Sequence, residues 1–151
     1  MRKILLSSLA IAIPVMAFAV SPEQTVEARR GYFALVGTEF GPLVAMAKGE
    51  MPYDVAAAKA HAADLVALAT YTQDDLLASG PSMAELPGKT RAKATIYTDL
   101  PGYQAAGQAF YDAVIALDAV AGNGPEALAP AVGKLGGTCK GCHDDFRAKD
   151  F

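Results

Sequence analysis

An all-α fold, built as an antiparallel four-helix bundle, is what this chain predicts, and three observations predict it. Apolar residues recur three or four positions apart in four segments, the spacing of a buried helix face. Gly/Pro loops separate those segments, among them Leu86-Pro87-Gly88 and Gly122-Asn123-Gly124. Alanine is abundant, tryptophan is absent, and neither runs of β-branched residues nor strand patterns occur.

The first helix begins at Ser21-Pro22-Glu23-Gln24. Ser21 is the cap, Pro22 suits the first helical position, and Glu23 favours the positive end. Val26, Arg29, Phe33, Val36 and Phe40 follow as one face. Gly41-Pro42 bends the helix without ending it, since Leu43, Val44 and Met46 continue the stripe. Gly49 stops it. Asp54 caps a second helix that runs to about Tyr71, with Ala58, Ala62, Leu65, Val66 and Ala69 inward. Residues 72–98 form a long connection. Leu76, Leu77, Met83, Ile96 and Tyr97 give it packing surface, and a helical turn falls near Arg91 to Tyr97. The third helix starts near Asp99-Leu100-Pro101 and runs to Ala121, with Tyr103, Phe110, Val114 and Leu117 as its stripe. Pro125 opens the last helix, which carries Leu128, Val132 and Leu135. Pro130 lies close enough to its start to be tolerated.

Residues 1–19 have the three parts of an export signal. Arg2 and Lys3 are basic, Ile4 to Val15 is mostly apolar, and Ala17-Phe18-Ala19 is a small-x-small cleavage site. The apolar run is shorter than the roughly 20 residues of a spanning helix. Cleavage after Ala19 is therefore expected, leaving residues 20–151 as one domain with no membrane attachment. The whole chain has 13 basic and 16 acidic residues. Losing Arg2 and Lys3 leaves 11 against 16, an acidic balance that disfavours nucleic acid as a partner.

The last helix ends in Cys139-Lys140-Gly141-Cys142-His143, a C-x-x-C-H motif, the attachment pattern of a c-type haem. Two thiols three apart add to the two vinyl groups of one porphyrin, giving one haem c held by two thioethers. The adjacent imidazole reaches the iron as proximal ligand. On a helix the three side chains sit at i, i+3 and i+4 and share one face. A thioredoxin-like pair would need a βαβ setting, a zinc site more ligands than His61 can add, and a disulfide this short holds little fold together. Haem attachment in an oxidising exported compartment places the protein in a bacterial periplasm.

Few residues follow His143, so any sixth iron ligand comes from the earlier helices. The candidates are His61, Met46, Met51 and Met83. Each also has a plain structural explanation: His61 as a surface or interface residue, Met46 in a core stripe, Met51 and Met83 in loops.

The chain resembles the cytochrome c′ family, the high-spin class II cytochromes c, over its whole length after the signal. The resemblance is carried by Ala28-Arg29-Arg30-Gly31-Tyr32-Phe33, by Pro52-Tyr53-Asp54, and by Leu86-Pro87-Gly88 with Ala92-Lys93-Ala94 and Ile96-Tyr97. It ends with Gly136-Gly137-Thr138-Cys139-Lys140-Gly141-Cys142-His143-Asp144-Asp145-Phe146-Arg147. The resemblance implies a five-coordinate iron with His143 as its one protein ligand. It implies that Phe33, four after Arg29, closes the distal face, that Arg29 pairs with a haem propionate, and that Arg147 is a basic residue on the proximal side. It also implies a homodimer through the first two helices, with which the alanine-rich faces are compatible. Low-spin relatives carry a first-helix methionine, and none lies between Ser21 and Gly41. Gly41-Pro42 departs from the family pattern and bears on how tightly Phe33 covers the iron.

A distal face of Phe33 and aliphatics offers no lone pair and no hydrogen-bond donor. Nitric oxide first, and carbon monoxide second, are the diatomics expected to bind there, with oxygen disfavoured. The expected function is gas binding, with electron carriage alongside. The alternative is plain electron transfer by a low-spin iron with a sixth side-chain ligand. A catalytic haem enzyme is not expected, because no motif places a histidine–arginine acid/base pair. The acidic balance suits a basic periplasmic redox partner, though no motif names one.

Overall fold

The computed structural model describes residues 20–71, 76 and 81–151. The export signal expected at 1–19 lies outside the described residues. Five helices are present among them: α1 (Pro22–Lys48), α2 (Val55–Ala69), the short α3 (Thr95–Thr98), α4 (Leu100–Asp118) and α5 (Pro125–Phe146).

The helix ends follow from local chemistry. Ser21 accepts from the Gln24 amide while the Gln24 side chain accepts from the Ser21 amide, a reciprocal capping box. Pro42 sits inside α1 and the helix runs on through it. Gly49 ends α1 in the left-handed region, at φ 72°, where a side chain would be strained. Asp54 caps α2 through the Ala57 amide, and Asp99 caps α4 through the Gly102 amide. Two helices end earlier than their sequences predict. α2 stops at Ala69, and the hydroxyl of Thr70 bonds back to the carbonyls of Val66 and Ala67. α4 stops at Asp118, and residues 119–123 form turns instead.

Each long helix packs against two others. α1 lies against α2 and α5, and α4 against α2 and α5, which closes an antiparallel four-helix bundle. Leu43, Leu65, Val114, Leu117, Leu128 and Leu135 are fully buried at its centre. Truncating one of these leucines to alanine costs about 2–5 kcal/mol, the transfer loss plus the cavity left behind. Ala58 and Ala62 are also fully buried, so α2 can approach its neighbours closely. Tyr53 clamps the two short loops together: its hydroxyl donates to Ala121 O (2.8 Å) and accepts from Gly124 N (3.1 Å).

The buried stripe of α1 differs from the expected one. Val26, Arg29, Val36, Leu43 and Met46 are buried as expected, but Tyr32 is buried too, Phe40 is only half-buried, and Phe33 is 45% exposed. From Arg29, positions +3 and +4 both fall on the broad inner face, and packing against α2 selects Tyr32, whose hydroxyl donates to Leu68 O (3.1 Å).

A second, smaller cluster of Ala92, Ile96 and Phe146 forms at one end of the bundle, with Tyr103, Ala106 and Cys142 packed on it. It exists because the long connection is pinned to the end of α5. Ala92 pairs with Arg147 as an isolated antiparallel bridge, Lys93 N donates to Phe146 O (3.0 Å), and Ala148 N donates to Arg91 O (2.8 Å). That pairing holds Arg147 extended, which is why α5 ends at Phe146. Among the described residues no helix is long and apolar enough to cross a membrane.

Candidate haem-attachment site

Cys139, Cys142 and His143 lie on the last turns of α5. Helical periodicity therefore sets both sulfurs and the imidazole on one side of the helix. Cys139 packs on the main core and Cys142 on the smaller cluster, so the motif sits where the two meet. Both cysteines are unbridged. Burial pushes the Cys139 thiol up; burial, then the neighbouring charges of Cys139 and Asp145, push up that of Cys142. They are thiols at neutral pH, the form that adds across a vinyl group. Burial first, then the Arg91 charge, lowers the His143 pKa against an opposing Asp144. Its imidazole is neutral at neutral pH, the state that offers a metal its lone pair. Among the described residues no group of three or more His, Cys, Asp or Glu is arranged to hold a metal ion. A bare metal ion thus has no cage there, whereas a porphyrin brings its own four nitrogens.

Arg29 supplies the second part. The side chain is 6% exposed. Nε donates to Leu76 O (3.0 Å) and Nη2 to the Tyr97 hydroxyl (3.3 Å). Nη1 is buried and has no protein partner. Burying an unpaired guanidinium nitrogen is costly, and an anionic group at Nη1 would relieve that cost. A haem carboxylate fits this requirement. Tyr103 belongs to the same neighbourhood: its pKa is pushed up to about 12 by burial and then by Cys142, with Arg29 opposing. Its ring meets Phe146 edge-on at 5.2 Å.

Phe33 stands one turn beyond Arg29 with its ring edge-on to Tyr32 at 5.1 Å. With Tyr97, 37% exposed, it leaves aromatic surface beside a buried cation. Arg147 lines a pocket of about 360 Å³ together with Lys93, His143, Asp144 and Lys149. The expected proximal cation and the expected iron ligand therefore share one cavity.

The four candidate sixth ligands are dispersed. His61 Nδ1 is 2.8 Å from the Glu39 carboxylate, bridging α2 to α1, and α2 does not pack against α5. Met46 is 3% exposed in the main core. Met51 is exposed in the α1–α2 turn, and Met83 lies in the connection, its amide donating to Ala92 O (2.7 Å). Sequence analysis did not single out the Leu76 carbonyl, Tyr97 or Tyr103 as partners of Arg29 and Cys142. The aromatic residues flanking Asp99 were the one visible signal.

A family model described as Cytochrome C′ matches residues 24–147. The chain belongs to the cytochrome c′ family. A cytochrome c′ of Cereibacter sphaeroides is 60% identical over 149 residues, 99% of each chain. The solved structure of a cytochrome c′ from Rhodobacter sphaeroides is 62% identical, with a TM-score of 0.83, over 85% of this chain and 98% of that one. A nitric oxide complex of a mutant cytochrome c prime from Alcaligenes xylosoxidans is 31% identical, with a TM-score of 0.72, over 85% of this chain and 97% of that one. For a cytochrome c′, two cysteines near the C-terminus are the expected thioether donors, and a haem is the expected group.

Proposed function

We propose that this cytochrome c′ is an exported, periplasmic c-type haem protein that binds nitric oxide, and carbon monoxide second, and also carries electrons. Cys139 and Cys142 hold the haem through thioethers, and His143 is its one protein ligand to iron. The haem supplies the gas-binding and redox chemistry. Arg29 orients it: Leu76 O and the Tyr97 hydroxyl hold two of its nitrogens, so Nη1 is aimed at a propionate. Phe33 covers the distal face sterically and offers neither a lone pair nor a donor. Arg147 supplies a cation beside His143. No sequence motif places a histidine–arginine acid/base pair, so gas binding and electron carriage, not catalysis, are the roles assigned.

The observation that carries this reading is the placement of His61, Met46, Met51 and Met83. His61 is bound to Glu39, Met46 is in the core, and Met51 faces solvent. The relative from Alcaligenes xylosoxidans, solved with nitric oxide, supports the choice of gas. The test is the optical spectrum of the ferrous protein before and after nitric oxide. A broad high-spin spectrum that changes on addition is expected. A sharp six-coordinate low-spin spectrum that ignores the gas would overturn the reading in favour of plain electron transfer.

A homodimer is part of the proposal. Ala28, Gly31 and Leu35 on α1 and Ala56, Ala60, Ala63 and Ala67 on α2 are exposed at helical spacing, a small-residue surface that allows close approach of a second copy.

A further inference from the structure

Charge is unevenly distributed over this molecule. After residue 19 the chain has eleven basic and sixteen acidic side chains. Six of the eleven bases, Lys89, Arg91, Lys93, Lys140, Arg147 and Lys149, fall in segments 89–93 and 140–149, which hold only two acids, Asp144 and Asp145. The other five bases share the rest of the chain with fourteen acids. In sequence the two segments are some fifty residues apart. In the fold they are one surface: Arg91 Nη1 donates to Lys149 O (3.0 Å), and Lys93 Nζ to Asp144 O (2.8 Å).

This surface surrounds the candidate iron ligand. Lys93, Arg147 and Lys149 line the same pocket as His143. The acid in that pocket, Asp144, is already paired with Lys140 one turn earlier. Among the described residues, Lys89, Arg91, Lys93, Arg147 and Lys149 form no ion pair with a side-chain carboxylate. Their charge is thus not offset by any side-chain ion pair among the described residues.

We propose that this basic rim is the docking surface for an acidic electron-transfer protein. The inference rests on the electron-carrying part of the proposed function. The haem that Cys139, Cys142 and His143 would hold would supply a one-electron acceptor, the reduced partner would supply the electron, and no atom would cross. Net charge alone would select a basic partner. At contact, fields from charges beyond about 8–10 Å are screened at physiological salt, so the local cations decide which sign of surface can dock. Complementary charge then steers encounter and fixes orientation with His143 inside the contact.

The test is zero-length carbodiimide cross-linking of the haem-loaded protein, with sites read by mass spectrometry. The probes are an acidic flavodoxin and a basic class I cytochrome c. Amide bonds from the flavodoxin to Lys89, Lys93, Lys140 or Lys149 are expected. Their yield should fall about tenfold between roughly 0.01 M and 0.5 M NaCl, and should fall comparably in the double variant Lys89→Glu, Lys149→Glu. Any one of three results would overturn the proposal: no flavodoxin product at low salt, a product through Lys48, Lys59 or Lys134, or coupling of the basic cytochrome at this face. The optical spectrum with nitric oxide is recorded on the same samples. An open iron without a flavodoxin product sinks the docking surface alone, and a closed low-spin iron sinks the gas-binding reading alone.

Discussion

Arg29 and Tyr97, 68 positions apart in sequence, meet directly: Nη2 of the arginine donates to the tyrosine hydroxyl at 3.3 Å. With the Leu76 carbonyl on Nε at 3.0 Å, this contact determines which guanidinium nitrogen is left unpaired. Two partners on the connection thus orient a cation carried by α1. Replacing Tyr97 with Phe removes the acceptor and leaves a second Arg29 nitrogen unpaired. We expect a loss of about 1–2 kcal/mol, read by denaturant unfolding of the haem-loaded protein. Arg29→Gln should shift the reduction potential, since it removes the charge nearest the proposed propionate. An unchanged potential would place the haem carboxylates elsewhere.

Phe33 is the proposed steric gate. Phe33→Ala should accelerate carbon monoxide association roughly five- to thirtyfold, equivalent to about 1–2 kcal/mol of barrier removed. Stability should change little, because the ring is 45% exposed in the chain itself. Flash photolysis measures the rate; an unchanged rate would mean that another group limits access.

Tyr103 makes the fold sensitive to alkali. Its folded pKa is raised to about 12 from an ordinary value of 10.0, so the native state holds its proton where the unfolded state has lost it. The stability from keeping this phenol neutral is fully present below pH 10 and is lost as pH rises from 10 toward 12. At pH 12 the loss is roughly 2 kcal/mol. In Tyr103→Phe this part of the decline should vanish. Urea unfolding at pH 9, 10 and 11 compares the two proteins, and parallel declines would refute the assignment.

Leu35 is 54% exposed on the proposed dimer face of α1. Leu35→Glu would place like charges together across a two-fold contact. The variant should sediment as a monomer at concentrations where the parent is a dimer, with its optical spectrum unchanged. A variant that stays dimeric would move the interface elsewhere.

The local features of this protein were legible because their causes are local. Ser21, Asp54 and Asp99 cap the helices that follow them, and Gly49 ends α1, through contacts within one turn. The C-x-x-C-H motif is a covalent pattern whose geometry needs only a helix, and α5 supplies it. The inner residues of α5, Leu128, Val132 and Leu135, were equally plain, since each falls on a narrow stripe.

The sequence by itself therefore determined the helices, the bundle and the place proposed for haem attachment, all governed by spacing over a few residues. Only the tertiary structure decided that Tyr32 and not Phe33 turns inward, because both satisfy the periodicity and packing against α2 breaks the tie. Only it ended α5 at Phe146, since the competitor is an Ala92–Arg147 pairing that spans the whole of α4. The same pairing gathers Arg91, Lys93, Arg147 and Lys149 around His143. A charge count over the chain gives an acidic protein; which sign surrounds the proposed iron ligand depends on distances through space, and those are set when the connection folds back onto α5.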